Sequence, residues 1–472
     1  MLENVWVERF DILERRIIDL IDSCEDEDVG PFSRKDVLTN VVSCFRNFAA
    51  EQFKFFYDGF ANGRLEPSKK YPPEYALTVT LEQIGFDLEA LEWAVNQRRT
   101  GTLEMLWALD AADKLAYEAI KPVLNGLNLG DVSVITYFQK FAEIRMIPYA
   151  SVALIGIPFT CVPLAYIGGT PVIRDYLAIP HEVAHFIYWR GKVGERPLPY
   201  YLDEMVSGKL EWGGNWLEEV FADVYGCLVA GPVMAKIFQD LQLSFSQDRF
   251  VEDDNEHPSP ILRPDIYTKV LHKKFNPEWA SSLNDLWIAR REERDKQDEA
   301  SGEQKREILL AGEKEPLQIA EAVSLIDSKD TSLIDPRLDK PLDRMINAVL
   351  ELLSEIEPKW DKNWWRGYFG ADINDPYGLF EAHFGKGFDS IKGPNGVIDC
   401  PPVNKLHEEW IAQGRKAFLA NASNNEGMTL KQAEEMLADY NEGGKLPVLV
   451  WLPVLIASGW ATKGPKGNPV SG

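Results

Sequence analysis

The chain has 472 residues, of which 45% are hydrophobic and 11% aromatic, with 14 Trp. That composition indicates a well-packed globular protein rather than a disordered one, and the length exceeds what one hydrophobic core usually serves, so two or three domains are expected. A formal net charge of −24 argues against contact with phosphate backbones, and no nucleic-acid partner is expected.

Residues 1–124 read as a helical N-terminal domain. Apolar residues recur at three- and four-residue spacing over 5–21, 34–60, 75–95 and 102–124, with Pro, Gly and Asn in the gaps. The Phe and Tyr between positions 45 and 60 fit the core of such a bundle better than a ligand box. The first residues are charged and amphipathic and contain no apolar h-region, so no Sec-type signal is expected. A cytoplasmic location follows as the expectation, with non-Sec export as the other route.

Residues 125–285 form the second expected domain. Segments 132–138 and 150–159 have strand-like composition, and 162–173 contains a Gly168-Gly169 turn. A helix is expected to start after Asp175, with Pro180 in its first turn. The stretch 191–215 is rich in Gly, Pro and Tyr. An apolar, helix-compatible run then ends near Gly231-Pro232.

Residues 286–316 read as a charged linker or solvated helix, and 317–472 as a helical, aromatic-rich C-terminal region. Within that region 317–360 looks helical. The Trp, Tyr, Phe and Gly of 360–388 suit a loop-rich small core better than a binding surface, and the tail 462–472 reads as mobile. Two apolar stretches, 146–167 and 446–457, are broken by Pro or too short to supply the roughly 20 apolar residues of a spanning helix. No stable membrane insertion is expected. Cys24, Cys44, Cys161, Cys227 and Cys400 are scattered, with neither a disulfide framework nor a C-x-x-C site.

The most informative residues are His181-Glu182-Val183-Ala184-His185. On a helix, residues four apart share a face, so His181 and His185 can aim two imidazoles at one ion. Glu182, about 100° round the helix, can reach a water on that ion. With only six His in the chain, an accidental match is expected roughly 0.006 times. Two imidazoles do not complete a catalytic zinc site, which takes three protein ligands and water. Downstream, Glu218-Glu219-Val220-Phe221-Ala222-Asp223 offers Glu219 and Asp223, again four apart, and Glu218 as a competing ligand.

H-E-x-x-H followed by E-x-x-A-D resembles the gluzincin zinc metallopeptidases. The resemblance implies Zn2+ as cofactor, His181, His185 and Glu219 as metal ligands, Glu182 as general base, and Asp223 as the residue that orients one ligand His. A further stretch, His257-Pro258-Ser259-Pro260-Ile261-Leu262-Arg263, is similar to the H-P-x-x-x-x-R motif of HtpX-type and prenyl-protein endopeptidases. It implies oxyanion stabilisation by His257 and a supporting role for Arg263, with Tyr200, Tyr201 and Tyr267 as other donors. The resemblance covers residues 181–263 only. It departs from those membrane enzymes, because no convincing transmembrane helix is read here.

The expected fold is therefore mainly α with a small β-sheet, an α+β chain whose zincin-like catalytic domain is flanked by helical regions. In that plan an edge strand can hold an extended substrate. The expected function is zinc-dependent hydrolysis of peptide bonds, with a protein or peptide substrate and room for a regulatory protein partner. Two other readings stay open: a non-catalytic zinc-binding scaffold, and a peptidase toxin or effector delivered to another cell.

Overall fold

The computed structural model describes residues 4–356 except 27–31, 64, 66–71, 162–175, 207–210, 252–256, 276, 302–306, 309–316 and 319–335. The expectations for 162–173, 360–388, 446–457 and 462–472 lie outside the described residues. Most described residues are helical, and a three-stranded sheet is the largest sheet among them. The coarse α+β expectation holds.

The described residues form two compact units, one of 4–113 with 131–161 and one of 114–130 with 176–356. The expected boundaries near 124 and 285 do not coincide with them. The strands share a core with the N-terminal helices, and Ile135, Tyr137, Val152 and Leu154 are part of it.

In the first unit, α1 (Val5–Glu25), α2 (Lys35–Ala61) and α3 (Pro73–Thr100) pack on one another. On α2 the buried positions Val37, Leu38, Val41, Val42, Phe45, Phe48, Gln52, Phe53 and Phe56 follow the helical period. The crowded aromatics are core, as read from the sequence. Phe10 stacks on Phe53 at 4.5 Å, and Tyr149 meets Phe45 at 5.3 Å and Phe48 at 5.1 Å. Each such ring contributes about 1.5–3 kcal/mol by burial. Helix α4 (Leu103–Ile120) gives residues 103–113 to this unit.

Strands β1 (Ser133–Gln139), β2 (Glu143–Arg145) and β3 (Val152–Pro158) form a sheet of order β1-β3-β2, with β1 and β3 parallel and β2 antiparallel to β3. Strand β1 lies at an edge, where free backbone groups would template another strand. Side chains take them instead. Gln97 Nε2 donates to Phe138 O at 2.8 Å, and Phe138 N donates to Gln97 Oε1 at 2.6 Å. Arg98 Nη1 donates to Thr136 O at 2.6 Å, and Thr136 N donates to Asp113 Oδ1 at 2.7 Å. Arg98 Nη2 also spans both oxygens of Asp113 at 3.0 and 2.9 Å. The expected pairing of a substrate with an edge strand is corrected for β1, since its groups at 136 and 138 are already bonded.

The second unit holds α5 (Ala178–Arg190), the hairpin β4 (Lys192–Val193) and β5 (Arg196–Pro197), α6 (Leu198–Met205), α7 (Glu211–Gln242), α8 (Gln247–Val251), α9 (Arg263–Lys274), α10 (Pro277–Ser301) and α11 (Pro336–Ile356). Helix α10 covers residues 286–301 of the expected linker, and its Trp287 is buried. Helix α7 is central; α5, α9, α10 and α11 pack on it. By length and composition Trp216–Gln242 is apolar enough to cross a membrane, and its most apolar 18-residue stretch is buried within the structure, as in a core helix.

The break expected at Gly231-Pro232 is real, and a second helical segment follows it to Gln242. Gly231 adopts φ 60°, ψ −144°, a conformation open to glycine, and Pro232, lacking an N–H, starts the next helical segment. Of the cysteines, Cys24, Cys161 and Cys227 are free and buried, whereas Cys44 is disulfide-bonded.

Candidate metal centre

Helix α5 carries His181, Glu182, His185 and Trp189, and Pro180 falls in its first turn as expected. Helix α7 brings Glu218, Glu219 and Asp223 alongside. Gly226, one turn further on, faces the first turn of α5: a Cβ there would sit in ordinary contact with the backbone N of His181 at 3.5 Å and would press on Met234 Cε at 2.5 Å. Arg263 opens α9, and Tyr267 follows it by one turn.

His181 Nε2 and His185 Nε2 lie 3.2 Å apart. His181 Nε2 is 3.4 Å from Glu219 Oε2, and His185 Nε2 is 3.4 Å from Glu219 Oε1. One ligand atom from each of the three residues can be chosen so that all lie within 4.8 Å. Zinc bonds of about 2.0–2.1 Å in a tetrahedron separate the ligand atoms by about 3.3–3.4 Å; the two Nε2 atoms lie near that spacing, and each faces a different oxygen of Glu219. The proton positions agree. His185 Nδ1 faces Glu218 Oε1 at 2.8 Å, and His181 Nδ1 lies 3.1 Å from Asp223 Oδ1, though out of line for a straight hydrogen bond. Carboxylates at both Nδ1 atoms favour the N–H there, so in the neutral rings that a metal requires the two Nε2 lone pairs would face the Glu219 carboxylate. Three acceptors converging in this way suit a cation, so the residues fit a zinc ion.

Asp223 is fully buried and anchors the far side. Arg263 donates Nε to Asp223 Oδ2 at 2.9 Å and Nη2 to Oδ1 at 2.5 Å, and Nη2 also reaches Glu219 Oε2 at 3.4 Å. Tyr267 donates its hydroxyl to Asp223 Oδ1 at 2.6 Å. The Phe238 ring packs 5.7 Å from His181, 5.3 Å from the Arg263 guanidinium and 4.9 Å from Tyr267. Burial alone would raise both acids, but cations outweigh it. His185, His181 and Arg263 hold Glu219 well below the usual carboxylate range, and Arg263 and His181 lower Asp223. Burial would lower the histidines, yet Glu219, Glu218 and Glu182 push His185 up to about 10, and Asp223 and Glu219 raise His181.

The structure thus brings His181, His185, Glu219 and Asp223 together and gives Asp223 to His181. Glu218, the competing ligand candidate, meets Nδ1 of His185 rather than the converging Nε2 atoms. His257 lies at the rim, 43% exposed, with Nε2 3.4 Å from Glu219 Oε1. Arg263 is a buried partner of Asp223 and Glu219. Tyr267 is committed to Asp223, and Tyr200 and Tyr201 lie half-buried on α6. Sequence reasoning missed Trp189 and Phe238. Trp189 was readable as the next residue on the His181–His185 face, whereas Phe238 lies beyond the kink, where spacing gives no orientation. Compared with family models, with curated proteins and with solved structures, the chain matches none of them.

Proposed function

We propose that this chain is a zinc-dependent endopeptidase of gluzincin type, with a zincin-like site built on α5 and α7. The observation that carries this reading is the convergence of His181 Nε2, His185 Nε2 and the Glu219 carboxylate, with one ligand atom from each within 4.8 Å of the others. A closed structural site takes four protein donors, usually rich in Cys. Here the group numbers three among the described residues, as a site that keeps a place for solvent requires.

A bound zinc supplies Lewis acidity and makes water nucleophilic near neutral pH. His181, His185 and Glu219 would hold the ion. Glu182, adjacent to His181 and partly exposed on α5, takes the proton of the attacking water and returns it to the departing amine. His257 at the rim donates to the developing oxyanion. Arg263 holds Asp223 and Glu219 in place and does not meet the substrate.

The test is N-terminal peptide profiling of a lysate treated with wild type or with Glu182→Gln. New N-termini should appear with wild type alone. Equal cleavage by Glu182→Gln removes the base, and metal binding without cleavage by wild type leaves a zinc-binding scaffold.

A further inference from the structure

We infer that Glu218 and Trp189 form a clamp that orients His185 as a metal ligand, an inference that rests on the metal-site reading above. Glu218 Oε1 receives two hydrogen bonds, one from His185 Nδ1 at 2.8 Å and one from Trp189 Nε1 at 2.7 Å. His185 and Trp189 are one turn apart on α5, so both donors leave the same face. One oxygen of one carboxylate on α7 gathers both. The imidazole is thereby fixed in rotation and tautomer, with Nε2 turned toward His181 and Glu219.

The arrangement also settles what the adjacent acids do. For Glu218 to reach the converging Nε2 atoms it would have to abandon both donors, leaving a part-buried imidazole N–H and an indole N–H unbonded. Glu219 makes no such contacts with Nδ1 or with the indole, and its two oxygens face the two Nε2 atoms. The histidines are therefore supported by unlike acids. His181 leans on Asp223, fully buried and held by Arg263 and Tyr267, while His185 leans on Glu218, whose side chain is 26% exposed and held by one indole. The indole N–H of Trp189 is bonded to Glu218 and not to a ligand atom, which makes Trp189 a positioning residue.

The test is cobalt(II) titration of the full-length, metal-stripped protein, read by binding and by the visible ligand-field spectrum at saturation. Glu218→Gln should weaken cobalt about 10- to 100-fold and alter the saturated spectrum. Trp189→Phe keeps the ring and loses the donor; it should weaken cobalt roughly 2- to 10-fold. The double variant should match Glu218→Gln within about twofold, because Trp189 acts only through that carboxylate. Both single variants binding like wild type with unchanged spectra would overturn the clamp, as would fully additive losses. Should Glu218→Gln fail to fold, Trp189→Phe alone decides by the same two readouts. A wild type that takes up no cobalt overturns the metal site and the clamp together, which separates the two failures.

Discussion

At the scale of single residues, Asp223 is the point on which the site depends. It meets Arg263 twice, Tyr267 once and His181 from below, all away from water. Asp223→Asn leaves the buried Arg263 charge with only the more distant Glu219 oxygen, at 3.4 Å, and should lower stability by about 3 kcal/mol, against about 1 kcal/mol for Tyr267→Phe. Denaturant unfolding of the metal-stripped proteins checks the contrast, and equal losses would deny Asp223 that place. His185 gives a pH signature. Its folded value of about 10 exceeds the ordinary 6.5, so in stripped protein its contribution to stability is complete below about pH 6.5 and is lost as pH climbs toward 10. A metal requires the neutral ring, so zinc uptake at pH 7 should release about one proton from His185 and weaken as pH falls. Calorimetry in buffers of different ionisation heat reads that proton, and uptake without release would contradict the assignment.

At the scale of elements, Gly226 of α7 faces the first turn of α5 at ordinary contact distance. Gly226→Ala meets the movable end of Met234 first and should cost about 1 kcal/mol. Gly226→Val must press α5 away from α7, an overpacking of about 1–3 kcal/mol, and should lower zinc affinity while far-UV circular dichroism stays unchanged. Unaltered affinity would show that the close approach does not seat His181. Elements of this kind were unevenly legible in the sequence. Helices α1 to α4 were readable to within a few residues because their apolar period is long and their gaps carry Pro and Gly. The two longer strands were readable from their Val, Ile and aromatic content. Strand β2, only Glu143-Ile144-Arg145, has no period to read. The break at Gly231-Pro232 was visible, but the resumption of α7 to Gln242 was not, because that segment is held by burial rather than by local pattern.

At the scale of the whole molecule, the site was far more legible than the arrangement around it. Helical spacing puts His181 near His185 and Glu219 near Asp223 without any knowledge of the fold. The pairing of the two helices needs the motif resemblance, and the roles of Glu218 and Trp189 need the coordinates. Which core the strands join depends on contacts distant in sequence, such as Arg98 with Asp113 and Thr136, and no local pattern reports them. Arg98→Met would leave Asp113 buried against Thr136 without its main cation, with Arg34 Nε 3.6 Å away, and should destabilise the first unit by about 3 kcal/mol. The central claim concerns one ion, and anomalous diffraction at the zinc edge from crystals grown with zinc addresses it directly. The account predicts a peak about 2.0–2.2 Å from His181 Nε2, His185 Nε2 and a Glu219 oxygen, with solvent in the fourth position near Glu182. No peak there, or a fourth protein donor closing the site, would contradict it.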